Sequence, residues 1–337
     1  MGVNPLISIV IPNYNGASTI GKCLESVYRR PPTGFEVIVV DDGSDDGSIE
    51  IIKKFPCRLE VLPEHSGASA ARNEGARQAS GEAIFFMDSD CMLTEDTLET
   101  VVRVFKSNPG AVTGGTYTPL PYDKDFFSVF QSVSINYAET KPTKRSGPDY
   151  AATHAMVIGR ELFLKNGGFR EDFLPILEDV EFSHRLTRAG VRLLMNPDLL
   201  VKHIFNFTLR KSMKNAFRKS MYWTAYSMRN RDLFSNSGAA SHELKSNVLS
   251  VFLCLLLLLA GVPMLIPVIF GVNIYVNRKL FEAMREAGGI PFLIKAIIYY
   301  TSLYAFAVGA GALWGAMGLL KRGSFRMVRA GEISKGR

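Results

Sequence analysis

Asp88-Ser89-Asp90 directly follows the apolar run Ile84-Phe85-Phe86-Met87. If the backbone stays extended there, the two carboxylates share a face, because side chains alternate along a strand. Crowded carboxylates repel one another and stay ionised only beside cations, hydrogen-bond donors or solvent. A divalent ion resolves that conflict, and Mg²⁺ or Mn²⁺ favours carboxylate and phosphate oxygens, with one or two protein carboxylates and some waters. Two acids in a turn are otherwise common surface decoration; the buried strand before them is what gives this pair weight as a seat for a metal–diphosphate complex.

Further groups punctuate the chain. Asp41-Asp42-Gly43-Ser44 reads as a turn and helix start, with Ser44 or Asp45 capping a helix from about Ser48. A carboxylate there can equally accept the imide N–H of a pyrimidine base or the hydroxyls of a ribose. His65 to Gly75 joins a glycine-containing loop to a helix with a small, polar start, where backbone amides could approach a phosphate. Arg72, inside that helix, either contacts base and phosphate or pairs with an acid. Gly167-Gly168-Phe169 precedes Glu178-Asp179, which open an amphipathic helix. They serve either as anionic residues at a helix N-terminus or, for Asp179, as a general base that takes the proton of an attacking hydroxyl. Of the five histidines, His203 stands out: it follows the strand-like Pro197–Lys202 and could reach the metal or the diphosphate. The four cysteines, Cys23, Cys57, Cys91 and Cys254, show no metal spacing or pairing and read as free thiols.

These residues need a scaffold that brings strand ends together. Strands are predicted near Leu6–Ile11, Phe35–Asp41, Leu59–Leu62 and Ala83–Met87, and helices near Thr19–Tyr28, Ser48–Phe55, Ser69–Gln78 and Glu95–Lys106. That alternation implies an α/β fold with a Rossmann-like, mainly parallel sheet and helices on both faces. Ligands of such sheets bind outside the carboxyl ends of the strands. Pro12-Asn13-Tyr14, Asp41-Asp42 and Asp88-Ser89-Asp90 all fall there.

The ordered set Ile9-Val-Ile-Pro-Asn-Tyr-Asn15, Asp41-Asp-Gly-Ser44, Arg72-Asn-Glu-Gly75, Asp88-Ser-Asp90, Gly167-Gly-Phe169, Glu178-Asp179 and His203 resembles the family 2 glycosyltransferases over about residues 5–205. The resemblance implies a GT-A fold and an inverting, metal-dependent transfer from a nucleotide diphosphate sugar (UDP-, dTDP- or GDP-linked). By position it implies Pro12, Tyr14, Asp42, Arg72 and Asp88 as donor contacts and Asp90 and His203 as ligands of Mn²⁺ or Mg²⁺. Asp179 takes the place of the catalytic base, with Gly167, Gly168 and Glu178 near the acceptor or sugar. No Gln-x-x-Arg-Trp motif follows the base, which argues against processive polymer synthesis.

Composition adds a second part. With 337 residues, 47% hydrophobic and 21% charged, the chain is neither disordered nor a disulfide-stapled mini-domain. Its mean hydropathy is slightly positive. Residues 1–205 hold 21 Lys+Arg and 27 Asp+Glu, net −6, whereas residues 206–337 hold 18 and 5, net +13. Val248–Ile269 and Ala296–Leu320 carry no charge over 22 and 25 residues, enough for two membrane spans. Before them, Asn206–Arg231 holds seven Lys/Arg and no acid, with Met213, Phe217 and Met221 on one helical face, as in an interfacial helix.

The expected organisation is a catalytic domain over 1–205, a basic amphipathic helix and linker over 206–246, a transmembrane hairpin over 247–322 (spans 248–269 and 296–320) and a basic tail over 323–337. Lys/Arg-rich flanks, including Arg229, Arg231, Lys245, Lys321, Arg322, Arg326 and Arg329, place the catalytic domain and both termini in the cytoplasm, consistent with a strand-like start and no signal peptide. The expected partners are a membrane lipid or lipid-linked acceptor and an anionic membrane surface, not nucleic acid. Ala307, Gly311 and Gly315 form a small-residue face for the first span or for a second copy in a homo-oligomer. The alternatives are glycosyl transfer onto polyprenyl phosphate and a non-catalytic, membrane-tethered nucleotide-sugar binding protein.

Overall fold

The computed structural model describes residues 6–29, 33–141, 147–231 and 240–322. The basic tail expected over 323–337, with Arg326 and Arg329, and part of the linker after Arg231 lie outside the described residues. The chain divides into two compact units, one formed by residues up to Thr118 and Thr140–Phe205, the other by Pro119–Glu139 and the residues from Asn206.

Unit 1 is built on an eight-stranded sheet: β1 Ile7–Asn13, β2 Phe35–Asp41, β3 Arg58–Val61, β4 Ala83–Phe86, β5 Cys91–Leu93, β6 Val112–Tyr117, β7 Met156–Gly159 and β8 Leu193–His203, in the order β3-β2-β1-β4-β7-β6-β8-β5. β1 is buried at all seven positions, as a central parallel strand covered on both faces must be. β3, β2, β1 and β4 run parallel. β7 then pairs antiparallel with β4 and β6, and β5 pairs antiparallel with β8. The parallel half follows the predicted alternation; β5, β6 and β7 are short strands that the sequence reading did not assign.

The helices of this unit are α1 Ile20–Tyr28, α2 Ser48–Ile52, α3 Ala68–Gln78, α4 Thr97–Ser107, α6 Arg160–Lys165 and α7 Glu178–Arg188, with α5 Phe126–Thr140 lying largely in unit 2. Ala71 and Ala76 of α3, Phe163 of α6 and Phe182 and Leu186 of α7 pack with Val10, Ile38, Val40, Ile84, Phe86 and Ile158 of the sheet. α3 approaches closely because Gly75 has no side chain: a Cβ there would lie 2.4 Å from Val10 Cγ1. Neither Ser44 nor Asp45 caps α2, whose N-cap is Gly47 at φ +83°; Ser44 is instead bonded to Asp41.

Unit 2 is helical: α5, α8 Leu209–Asn230, α9 His242–Leu259, α10 Ile266–Val276, α11 Arg278–Tyr299 and α12 Ala305–Arg322, with one π-helical turn, Tyr300–Tyr304, between the last two. The uncharged run Val248–Ile269 is not one helix. α9 ends at Leu259, where Gly261 takes φ +71° and Val262 N–H donates to Leu257 O, and Pro263 follows. With Gly261 N–H donating to Leu258 O, this is the Gly-then-Pro helix stop in which turn amides take up carbonyls of the last turn. α9 (18 residues, 6% of it buried) and the segment Arg278–Gly318 (41 residues, 39% of its apolar stretch) are long and apolar enough to cross a membrane among the described residues, but the second is kinked at Gly289, which takes φ +70° two residues before Pro291. Leu249, Leu253 and Leu256 of α9, Met264 before α10 and Val268 and Val272 within it, and Ile290, Ile294 and Ile298 of α11 form exposed rows at helical spacing.

Beneath those rows three buried asparagines interlock. Asn247 Nδ2 donates to Tyr300 O, Asn273 Nδ2 to Asn247 Oδ1 and Asn277 Nδ2 to Asn273 Oδ1, each at 2.8 Å, while Tyr300 O–H donates to Asn277 Oδ1 at 3.1 Å. Gly311 and Gly315 of the small face of α12 meet α8, while Ala307 packs in a cluster that also holds Leu244 and Val248 of α9. A Cβ on Gly311 or Gly315 would lie 2.3 Å from Phe217 O or Met221 O, so the apolar face of α8 is spent on protein. Arg210, Lys211, Lys214, Arg218 and Lys219 stay exposed.

Gly311→Val therefore forces α8 and α12 apart and costs about 1–3 kcal/mol. Gly271→Val, whose added Cβ would meet nothing within 4 Å, avoids that cost. Thermal unfolding in detergent checks the contrast: equal melting temperatures for the two variants would contradict the packing.

Candidate active site

The carboxyl ends of β1, β2 and β4 carry the polar residues, and the sheet register fixes their neighbours. Asn13 is paired with Asp41, and Asn13 Nδ2 donates to Asp41 Oδ2 at 2.8 Å. Asp41 also accepts from Ser44 N–H and O–H, so this fully buried carboxylate braces the turn. Asp42, 2% exposed, accepts from the backbone N–H groups of Ser66 and Gly67 at 2.7 and 2.8 Å and lies 2.8 Å from His65 Nδ1. The His65 ring stacks on Tyr14 with centroids 3.9 Å apart, and Tyr14 is 43% exposed. The result is an aromatic platform over an acid-anchored loop. Pro12 is buried within β1 just below it.

Asp88, Ser89 and Asp90 do not continue β4. They form a turn closed by Cys91 N–H donating to Asp88 O at 3.0 Å, so the two acids are separated by the turn rather than aligned along an extended strand. Arg72 reaches this turn from α3. Its Nη2 donates to Asp88 Oδ1 at 2.6 Å and its Nη1 to Glu178 Oε1 at 2.7 Å; its buried Nε has no partner among the described residues. Burial alone would raise the Asp88 carboxyl, but the Arg72 guanidinium holds it below the ordinary carboxylate range. Burial and the neighbouring Asp88 push Asp90 upward, partly opposed by His203. Asp179, next to Glu178 at the start of α7, is pushed up to about 7 by burial and then by the Glu178 charge, with Arg72 pulling the other way.

His203 ends β8 with its ring stacked on Phe205 and edge-on to Tyr117, and its Nε2 lies 3.4 Å from Asp90 Oδ1. Asp90, Cys91 and His203 each offer a donor atom within 4.8 Å of the others. Carboxylate, imidazole and thiol together are a donor set that fits a divalent cation. Cys91 escaped the sequence reading because nothing local marks it: its place follows from register, directly opposite His203. His154, buried and stacked on Tyr117, also lies close enough to act on Asp88, Asp90 and Asp179.

Gly167 and Gly168 stand apart from this cluster. Both have positive φ, Arg185 Nη2 donates to Gly168 O at 2.6 Å, and the Asn73 side chain exchanges two hydrogen bonds with the Phe169 backbone. The pair borders a pocket of about 480 Å³ whose lining includes Glu171 and Asp172 but neither Asp90 nor Asp179.

A sheet of this order, with an acid-anchored aromatic platform on one strand end and an Asp-x-Asp turn on the next, is the architecture of a GT-A glycosyltransferase. The family model for glycosyl transferase family 2 matches residues 8–165, and the glycosyltransferase AglE of Haloferax volcanii is 30% identical over 210 residues, 59% of this chain and 67% of that protein. The chain belongs to the family 2 glycosyltransferases. Its fold is similar to that of the mannosyltransferase PcManGT from Pyrobaculum calidifontis, solved with GDP-Man and Mn²⁺ (TM-score 0.57, 18% identity, 96% of this chain and 89% of that one). It is also similar to residues 1–349 of TarS from S. aureus, solved with UDP-GlcNAc (TM-score 0.51, 16% identity, 93% and 92%). The chain spans only 23% and 47% of two other curated relatives.

Arg72→Ala leaves Asp88 and Glu178 with like charges and no shared cation, and destabilises unit 1 by about 3 kcal/mol. Arg72→Lys recovers little, because one ammonium cannot fork to both acids. Denaturant unfolding of the two variants tests this; a loss below 1 kcal/mol in Arg72→Ala would refute the bridge as a structural tie.

Proposed function

We propose that this enzyme is an inverting, metal-dependent glycosyltransferase that moves a sugar from a nucleoside diphosphate to a hydroxyl of a membrane lipid or lipid-linked glycan. The observation that carries the reading is the pairing, across Arg72, of a cation donor set at Asp90 and His203 with an acid, Asp179, whose proton affinity suits a base near neutral pH. The solved neighbours bind GDP-Man and UDP-GlcNAc, which supports a nucleotide-sugar donor.

In this reading Tyr14 and His65 hold the base, with Pro12 and Asp42 fixing the loops around it. Arg72 and Asp88 set the diphosphate side, and Asp90 and His203 hold Mn²⁺ or Mg²⁺. When bound, the ion offsets the charge of the departing diphosphate. Asp179 accepts the acceptor hydroxyl's proton as its oxygen bonds to the anomeric carbon, and the bond to the diphosphate breaks with its electron pair on the leaving oxygen. A single displacement inverts the anomeric centre. Glu178 sustains the proton affinity of Asp179, while Gly167 and Gly168, set apart from the acids, take no part in this step.

The exposed apolar rows of unit 2 and the outward cations of α8 support a chain held at an anionic membrane. In this reading the Lys/Arg-rich flanks favour a cytoplasmic side for the catalytic unit.

The test is turnover by the full chain in detergent or nanodiscs, with a panel of nucleotide sugars, Mn²⁺ or Mg²⁺ and a membrane-lipid extract, following nucleoside diphosphate release and labelled lipid. The expected result is metal-dependent label in the lipid fraction, abolished in Asp90→Ala and reduced about 10²–10⁴-fold in Asp179→Asn. Label that survives Asp179→Asn would favour an acidic acceptor such as polyprenyl phosphate, and donor binding without any turnover would favour a binding protein.

Because the base must be ionised, the rate should climb with pH through about 7 and then level. Removing the like charge in Glu178→Gln should move that limb to lower pH. A pH–rate profile unchanged in Glu178→Gln would count against Asp179 as the titrating group.

A further inference from the structure

The donors assigned to the cation above are oxygen and nitrogen, yet the sheet sets a sulfur beside them. Cys91 and His203 are directly opposed in the antiparallel β5–β8 ladder, so their side chains leave the same face of the sheet. Asp90 Oδ1 lies 3.4 Å from His203 Nε2 and 3.9 Å from Cys91 Sγ. One donor from each of the three residues falls within 4.8 Å of the others. A tetrahedral zinc ion with its usual bond lengths holds nitrogen and oxygen ligands about 3.3 Å apart, and sulfur and oxygen about 3.5 Å apart. These two separations in the protein differ from those values by less than about half an ångström, and the sulfur lies within 4.8 Å of an imidazole nitrogen. Asp90 is the exposed member, with 41% of its side chain open to solvent, against 12% for His203, while Cys91 is fully buried. A cation entering past Asp90 meets the sulfur as its innermost ligand.

We propose that Asp90, Cys91 and His203 together form a three-ligand site for a thiophilic divalent cation, of which Zn²⁺ is the type, and that this ion competes there with Mg²⁺ or Mn²⁺. The proposal rests on the assignment of Asp90 and His203 as cation ligands. On binding, the Cys91 S–H bond breaks, the sulfur keeps the electron pair as thiolate, and the proton passes to solvent. A thiolate adds much to the affinity of Zn²⁺ and little to that of Mg²⁺ or Mn²⁺, which prefer oxygen. Three protein ligands leave the fourth tetrahedral position open to water or a phosphate oxygen. Cys91 thus acts as a selector that decides which class of metal the pocket retains.

Cobalt(II) reports the sulfur directly. The full chain, reduced and metal-free in detergent, is titrated with Co²⁺ and then with Zn²⁺. We expect a near-ultraviolet sulfur-to-cobalt charge-transfer band, together with the visible bands of low-coordinate cobalt, both bleached by Zn²⁺. Cys91→Ser and Cys91→Ala should lose the band and weaken Zn²⁺ at least tenfold in competition with a chromophoric chelator. Cys23→Ser, which alters a neighbouring buried thiol, should keep the band. Thermal melts establish that each variant is folded. Cobalt bound without the band, or a band that survives in folded Cys91→Ser, overturns the proposal. The readout needs no turnover, so the two readings fail separately. A Cys91-dependent band in a chain that transfers no sugar leaves the site standing and removes the proposed activity. Mn²⁺-dependent transfer by a chain without the band does the reverse.

Discussion

A guanidinium with 5% of its surface exposed has to be neutralised, and the neutralisation of Arg72 organises the catalytic unit. It takes one acid from each of two pairs: Asp88 from the turn after β4 and Glu178 from the start of α7. Each pair keeps its second member outside the bridge. Asp90 and Asp179 are the two left over, and both hold their protons more tightly than an ordinary carboxylate. One charge thus sorts four acids into two that brace the fold and two whose ionisation is open to whatever enters the cleft. It also ties α3, the β4 turn and α7, elements that are far apart in sequence.

How much of this was legible beforehand follows the range of the interactions. Strands β1 to β4 and the helices between them could be read because each is marked by its own run of apolar residues, and the acids were noticed because they end those runs. Asp88 and Asp90 were read on a continued strand, whereas a backbone hydrogen bond from Cys91 folds them into a turn. The second half of the sheet was not readable. β5 and β7 are three and four residues long and exist because partners more than seventy residues away complete them. His203 was singled out by its position after a strand, but the sulfur opposite it is visible only through register. The bridge through Arg72 was open as an acid pair but not as one spanning two pairs.

In unit 2 the composition was informative and the packing was not. The cations and apolar face of α8 were plain, yet the glycines that accept that face lie some ninety residues on in α12. Their spacing named a small-residue face, but the partners expected for it, the first span or a second copy, did not include α8. The long uncharged run beginning at Val248 likewise suggested a single helix, and Gly261 with Pro263 divides it. Local stop signals outweighed bulk hydropathy there.

The asparagine network carries a consequence of its own. Its donors and acceptors satisfy one another across α9, α10, the α10–α11 junction at Asn277 and the π-helical turn, so the meshing of these elements is fixed by buried, directional bonds. The outer leucines and isoleucines, by contrast, are held only by contact area. Substitutions among the outer apolar residues therefore change what the bundle offers to its surroundings while leaving its internal gearing unaltered, so that outward contact and inward alignment become separate properties of the same few helices.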